Sequence, residues 1–404
     1  MLSNPDFERA QELLLNAVKP VGAENVPLSQ CGGRILAQDL IAQENVPAFD
    51  RSPYDGYAVR AADTVSASKE NPVGLRILEE IPAGAVPAKK VIAGTAAKVL
   101  TGALIPEGAD AVIMYEKTKF TDEDVALFAP VKAGDNIVWA GEDVRKGTVL
   151  AQSGTVIDPG LAGALAAQGV AMPLVYKMPK IALISTGHEL VEADAVPKGG
   201  RIRNSNRYML EAALKQIGCS PVYLGIVDDV VSDISVKFNE GLAECDAVII
   251  TGGVSVGDHD LTSVAMETSG VKMLFRGVDI KPGMACAYGV RNGKPVCGLS
   301  GNPASSLTNF YAVALPALKK LAGRRDHLPQ KISVILSAGF EKKSPKTRLL
   351  RGKLELKDGT VRMSLPEDQG NVVLSSTIGC NIMAVVPAGS GPLDAGTVLE
   401  GFLP

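Results

Sequence analysis

"DAVIITGGVSVGDHD", residues 246–260, decides how this chain is read. Residues 247–250 form a short apolar, largely β-branched run without polar alternation, the pattern of a strand buried on both faces. The run breaks into a loop with three glycines (Gly252, Gly253 and Gly257), Ser255, and the ionisable groups Asp258, His259 and Asp260. Glycine-rich loops after strands commonly hold phosphate close to backbone N–H groups, yet carboxylates repel phosphate. A hard divalent cation reconciles the two, since Mg²⁺ is typically held by one or two carboxylates together with substrate phosphates. An ordinary acidic turn has the same composition, so the loop alone does not make a site.

Two further loops repeat the design. "PKIALISTGHEL" (179–190) is a buried strand followed by Thr186, Gly187 and Glu189. "KPVCGLSGNPASS" (294–306) ends a strand and opens a helix, with Ser300 or Asn302 as cap and Pro303 as first helical residue. The free N–H groups of such an end attract an anion, although a plainly capped helix reads alike. Between and beyond them lie helical patterns at "NRYMLEAALKQIG" (206–218), "ISVKFNEGLAE" (234–244), "LTSVAMETSG" (261–270) and "LTNFYAVALPALKKL" (307–321), and a strand at "PVYLGIVDD" (221–229). Alternating strand and helix predicts a doubly wound, mostly parallel sheet from about 177 to 328, whose ligands sit at the carboxyl ends of strands. The three loops then lie side by side. Lys281, on the rigid "KPG" turn, is a further candidate anion contact.

The flanks read differently. "PDFERAQELLLNAVKP" (5–20) is helical, with Leu13, Leu14 and Val18 on one face. Residues 70–140 give strand-like pieces, "LRILEEIPAG", "KKVIAGTAAKVLTG" and "DAVIMYEKTKF", and an alanine-rich helix ends near Gly169. After about 330, "KISVILSAGF", "GKLELKDGTVRMSL" and "CNIMAVVPAGSG" predict a small all-β domain. With 404 residues the chain has room for several domains.

Composition narrows the function. A net charge of −3 supplies no basic field for nucleic acid, and 4% aromatic residues leave few platforms for stacking bases. No apolar stretch approaches the roughly 20 residues that span a bilayer, and the N-terminus lacks the pattern of a leader. The six cysteines (31, 219, 245, 286, 297, 380) show neither CxxC pairs nor zinc spacing, which predicts reduced, mostly buried thiols in a cytoplasmic protein. There is no GxxxxGK[ST], no GxGxxG between strand and helix, and no nucleophilic triad. His188 and His259 each neighbour a carboxylate, but three histidines without ligand spacing do not define a metal set, and neither is taken as a ligand.

Together "SPYDGYAVR" (52–60), "TGALIPEGADAVIMYE" (101–116), "GEDV" (141–144), "STGHEL", "IRNSNRYML" (202–210), "TGGVSVGDHD", "IKPGMA" and "GLSGNPASS" resemble, in order and over nearly the whole chain, the molybdopterin molybdenumtransferase family, the MoeA type also found as the gephyrin E domain. The resemblance implies an α/β multidomain fold. Residues 1–48 with 142–176 would form a discontinuous linker and dimer domain, 49–141 an inserted β-rich domain, 177–328 the doubly wound molybdopterin-binding domain, and 329–404 a C-terminal β domain. It implies an enzyme that inserts molybdate into the dithiolene of adenylylated molybdopterin, with Mg²⁺-dependent release of AMP. The alternatives are a non-catalytic molybdopterin carrier or scaffold, or the adenylyltransferase itself. It further implies a homodimer with sites between chains, and a molybdopterin adenylyltransferase-type partner and molybdoenzyme maturation factors, with no nucleic acid or membrane.

Carried over residue by residue, the functional polar set is Asp55, Thr101, Asp143, Glu189, Asp229 and Asp260, of which Glu189, Asp229 and Asp260 are the cation ligands. Gly252, Gly253, Ser255, Gly257, Lys281, Ser300, Asn302, Ser305, Arg351 and Ser375 would bind pterin, phosphate or molybdate. The pair Ser375–Ser376 permits a one-residue slip, and Arg348 competes with Arg351. Many relatives read KPGKP where this chain has "KPGMA", so Met284 replaces a second cation; Met284→Lys is expected to lower the molybdate concentration needed for half-maximal insertion.

Overall fold

The computed structural model describes residues 2–254 and 260–404. They form two compact units: Met1–Gln38, Ser153–Ala162 and Met172–Pro404 make the first, and Asp39–Gln152 with Gly163–Ala171 the second.

In chain order the first unit contains helix α1 (Phe7–Ala17), strand β1 (Lys180–Thr186), α2 (Ser205–Gln216), β2 (Ser220–Val227), α3 (Val231–Glu244), β3 (Ala247–Thr251), α4 (Leu261–Thr268), β4 (Lys272–Arg276), β5 (Cys286–Arg291), β6 (Lys294–Leu299) and α5 (Pro303–Asn309). Across the sheet β2, β1, β3 and β6 run parallel. The sheet then turns antiparallel through β5 and β4, and Leu2–Ser3 adds a parallel edge pair. Alternation along each strand sorts the side chains. Ile181, Leu183, Ala247, Ile249, Cys297 and Leu299 share one apolar cluster with residues of α1, α2 and Phe310. Ala182, Ile184, Val248, Ile250 and Val296 share the other with Ile234 and Phe238 of α3 and Ala265 and Met266 of α4. Thus β3 sends its following helix to one face, while its neighbours β1 and β6 send theirs to the other. That reversal opens a crevice at the carboxyl ends, where open α/β sheets bind ligands.

Helix α1 is capped by Asp6, which accepts from the Arg9 N–H at 2.7 Å, and it buries Phe7, Ala10 and Leu14 beside β4, β5 and residues 310–321; Leu13 is only half-buried. The helical stretch from Pro303 continues through a π turn, Phe310–Ala314, into Leu315–Leu321. The wider turn suits Pro316, which has no N–H for the regular helical ladder.

Lys331–Leu336, β7 (Thr347–Lys357), Thr360–Ser364, Ile382–Val386 and Val398–Phe402 pair in a ring, because Ile382–Val386 bonds both to Val398–Phe402 and to β7. This closed barrel is filled by Val334, Leu336, Leu350, Met363, Ala384 and Val386. Leu349, Met383 and Phe402 point the other way, into the cluster of the doubly wound sheet. The short strand Ile280–Lys281 lies parallel to the start of β7, with Ile280 opposite Thr347 and Lys281 opposite Arg348.

The second unit is β-rich, as its sequence predicts. Its six-stranded sheet runs in the order Ala111–Met114, Gly56–Val59, Thr95–Val99, Val73–Ile81, Asp124–Leu127, Thr118–Phe120. Tyr57, Val59, Ala96, Ala111 and Ile113 fill one face; Ala58, Ala97, Val99 and Val112 fill the other. Among the described residues no helix is long and apolar enough to cross a membrane.

Candidate active site

Strands β1 and β2 end beside each other, and their last residues build the acidic part of the site. Thr186 Oγ1 donates a 2.6 Å hydrogen bond to Asp229 Oδ1. His188 Nδ1 stands 3.7 Å from Asp229 Oδ2. His188, Glu189 and Asp229 each offer a donor atom within 4.8 Å of the others. Gly187 makes the turn possible: its φ is +145°, and a Cβ there would lie 2.5 Å from Glu189 Oε2, so a side chain would displace the carboxylate. Two half-buried carboxylates and an imidazole suit a divalent cation, the carboxylates favouring Mg²⁺ or Mn²⁺ and the imidazole widening the choice toward Zn²⁺. His188 was set aside in the sequence reading; its place next to Glu189 is the one signal that could have included it.

The loop after β3 is shaped by its neighbours. Gly252 has φ +99°, and a Cβ there would meet the Thr186 carbonyl oxygen at 2.2 Å; Gly253 has φ +61° and lies against Thr262. The double glycine is therefore required by the close approach of the β1 and β3 ends, whatever the loop binds. Asp260 caps α4, accepting from Ser263 N–H at 3.0 Å and from the Ser263 hydroxyl. The expected trio of carboxylates is thus divided. Glu189 and Asp229 come together with His188, while both Asp260 oxygens face Ser263 and Asp260 is not in that group. Ser255 and Gly257, like Asp258 and His259, lie outside the described residues.

A second cluster forms where the Lys281 turn, α5 and the barrel meet. Asn309 Nδ2 donates to the Gly283 carbonyl at 2.7 Å, and a Cβ on Gly283 would sit 3.3 Å from the Ser305 carbonyl. The Ser305 N–H, in the first turn of α5, is taken by the Asn371 carbonyl at 3.3 Å. Asn302 occupies the cap position without a side-chain capping bond, and its N–H donates to Ser300 Oγ at 3.2 Å.

Arg351, on β7, is 1% exposed. Its Nη2 donates to Ser376 Oγ at 2.9 Å and to the Gly370 carbonyl at 3.2 Å, but Nε and Nη1 have no partner. Burial holds this guanidinium below its ordinary range, opposed by the nearby Cys380 thiol and Asp368 carboxylate. An unpaired buried cationic fork is costly, and it is shaped to accept an oxyanion. Arg348 differs, since it is bonded to Ser344 Oγ and the Lys343 carbonyl and lies over the Phe340 ring. Of the two arginines, only Arg351 has buried side-chain nitrogens left unpaired. The hydroxyl beside it belongs to Ser376, while Ser375 is exposed. Gln369, which no motif indicated, clamps the Arg351 backbone from both sides, at 3.1 and 2.8 Å.

In the second unit Asp55 and Thr101 form a pair. Thr101 N–H and Thr101 Oγ1 both donate to Asp55 Oδ1 at 2.7 Å. The hydroxyl first, and the amide second, hold the Asp55 carboxyl below the usual aspartate range. Asp143 is exposed, its N–H donating to the Val46 carbonyl at 3.1 Å.

A doubly wound sheet with acidic loops at its carboxyl edge, joined to a closed barrel and accompanied by a β-rich unit, defines a multidomain α/β protein of the MoeA type. The family described as "MoeA N-terminal region (domain I and II)" matches residues 6–169, and that described as "Probable molybdopterin binding domain" matches 182–320. The molybdopterin molybdenumtransferase of Staphylococcus aureus (strain Mu50) is 36% identical over 399 residues, 98% of this chain and 94% of the relative. That of Bacillus subtilis (strain 168) is 36% identical over 386 residues, 94% and 89% of the two chains. The crystal structure of a molybdopterin biosynthesis moeA protein from Pyrococcus horikoshii superposes with a TM-score of 0.87 at 32% identity, covering 99% of each chain. The chain belongs to the molybdopterin molybdenumtransferase family.

Proposed function

We propose that this chain inserts molybdate into the dithiolene of adenylylated molybdopterin and releases AMP; its relatives carry the name molybdopterin molybdenumtransferase. The observation that carries the reading is Arg351: a buried guanidinium with two unpaired nitrogens, beside the Ser376 hydroxyl, suits a tetrahedral oxyanion. Lys281, Ser300, Asn302 and Ser305 lie on the segments gathered around it and are proposed as further anion contacts.

His188, Glu189 and Asp229 are the residues proposed to hold a divalent cation, Mg²⁺ by preference for the two carboxylates. Such an ion polarises a phosphoanhydride and neutralises charge on the departing phosphate. Thr186 fixes the orientation of Asp229, and Gly187 lets Glu189 fold back beside it. Asp260 acts through its cap on α4, which sets the end of the glycine loop. Gly252 and Gly253 let the chain after β3 leave close to Thr186 of β1, and Ser255 and Gly257 remain proposed ligands of pterin or phosphate. Ser375 is kept only as the neighbour of Ser376.

The reading extends to a cytoplasmic homodimer in which Asp55, Thr101 and Asp143 of each chain serve the site of its partner, and to the four-part domain division given above. The Asp55–Thr101 pair supports a role as an oriented, ionised carboxylate. An adenylyltransferase supplying the substrate and maturation factors receiving the product are its proposed partners.

The test is incubation with adenylylated molybdopterin, Mg²⁺ and molybdate. Release of AMP with molybdenum retained on the pterin supports the insertase. Tight pterin binding without AMP indicates a carrier, and consumption of ATP on unmodified molybdopterin indicates the adenylyltransferase.

A further inference from the structure

The Lys281 turn lacks a second lysine in sequence, yet one stands beside it in space. Lys346 Nζ lies 3.4 Å from Met284 Sδ and forms a 2.8 Å ion pair with Asp279. Its position relative to Lys281 follows from the strand. Ile280 is fully buried, whereas Asp279 is half-buried and Lys281 exposed. Asp279 lies in a bend just before the strand, where the Ile280 N–H donates to the Val278 carbonyl at 2.7 Å. Lys346 directly precedes Thr347, the residue that pairs with Ile280, and reaches across the strand pair to Asp279. Lys346 thus reaches the turn that carries Lys281 at two points, Asp279 before it and Met284 within it.

The sulfur of a methionine stands where a lysine has Cδ, so a lysine at 284 would carry its ammonium two bonds beyond Sδ. Lys346 brings an ammonium to that neighbourhood from another strand. We infer that Lys346 is a specificity-determining contact for the molybdate dianion, replacing in space the cation absent at position 284; this rests on the insertase reading above. Asp279 holds Lys346 when no oxyanion is present. A dianion draws the ammonium more strongly than one carboxylate does, so the ion pair opens as molybdate arrives.

The direction of the effects separates this role from a structural one. If the Lys346–Asp279 pair only braces the turn against the barrel, removing either partner harms the site in the same way. If Lys346 serves molybdate and Asp279 competes for it, the two removals act oppositely. Half-saturating molybdate is measured in AMP release by the full chain, and molybdate affinity alone by equilibrium dialysis, for the wild type, Lys346→Met, Asp279→Asn and the double variant Lys346→Met/Met284→Lys. The expected result is an increase of about five- to tenfold for Lys346→Met, a decrease of about two- to threefold for Asp279→Asn, and restoration in the double variant. Shifts of Lys346→Met and Asp279→Asn in the same direction, or no shift for Lys346→Met, overturn the inference. Absence of AMP from the wild type at every molybdate concentration overturns the insertase reading instead, and dialysis then still decides whether Lys346 contacts the oxyanion.

Discussion

Thr186 and Asp229, the first ending β1 and the second just past β2, are joined by a 2.6 Å hydrogen bond that fixes the carboxylate facing His188 and Glu189. A carboxylate ligand oriented by such a bond holds a cation better than a free one, and losing the orienting group commonly costs about ten- to a hundredfold in metal affinity or activity. Thr186→Val keeps the shape and removes the donor. The Mg²⁺ concentration giving half-maximal AMP release is expected to rise within that range, while the thermal midpoint moves little. An unchanged Mg²⁺ requirement would show that Asp229 is not a ligand.

Gly252→Ala tests the geometry of the glycine loop. The new methyl would enter a backbone at φ +99° and lie 2.2 Å from the Thr186 carbonyl oxygen. Strain and clash together are expected to cost more than about 2 kcal/mol in denaturant unfolding. Gly22→Ala, where no atom lies within 4 Å of the added carbon, is the control and should stay within about 0.5 kcal/mol.

Arg351 and Arg348 make a matched pair of buried arginines with opposite expected outcomes. Arg351→Met removes a desolvated, half-paired charge, so stability is expected to change by less than about 1 kcal/mol, or to rise. Half-saturating molybdate should increase at least about tenfold, since hydrogen bonds to charged groups contribute about 1.5–3 kcal/mol. Arg348→Met breaks bonds to Ser344 and Lys343 and should lose about 1–3 kcal/mol of stability without a comparable change in molybdate dependence. Equal effects of the two substitutions on molybdate would contradict the assignment of the oxyanion to Arg351.

These contrasts mark what the sequence could carry. The apolar runs of β1 and β3 and the glycine–carboxylate loops after them were legible, because alternation and loop chemistry are local. The antiparallel edge formed by β4 and β5 was not foreseen, although Asn292-Gly293, at φ +52° and +78° between Arg291 and Lys294, is the local signature of the tight hairpin that joins β5 to β6. Nor was the burial of Phe7 and Leu14 in the same cluster as Ile181 and Leu183, which lie over 160 positions further along the chain. At the site, Glu189 stood out as an acid following a strand, whereas Asp229 came from the family resemblance. His188 did not stand out, because proximity to Asp229 depends on how β1 and β2 pair. The choices of Arg351 over Arg348 and of Ser376 over Ser375 turn on which side chains are already bonded, a property of the folded barrel. Lys346 escaped for the same reason: it lies 62 positions from Met284.

The Asp55–Thr101 pair gives a pH signature. Thr101 depresses the folded-state pKa of Asp55. A depressed carboxyl contributes stability above its unfolded value, roughly pH 4, and loses it as pH falls through the lower folded value. Thr101→Val is therefore expected to lower the unfolding midpoint relative to wild type at pH 6. The gap should narrow below about pH 4 and close once Asp55 is protonated in both proteins. A gap independent of pH would mean that Thr101 acts by packing alone.

The most direct measurement is AMP release from adenylylated molybdopterin as molybdate is titrated at fixed Mg²⁺, comparing the wild type with Asp229→Asn. Asp229→Asn is a cleaner control than Asp260→Ala, since loss of the α4 cap costs stability by itself, about 1 kcal/mol. Molybdate-dependent AMP release by the wild type, abolished or greatly slowed in Asp229→Asn, is the predicted result. AMP release that ignores molybdate, or that survives Asp229→Asn undiminished, would contradict the account.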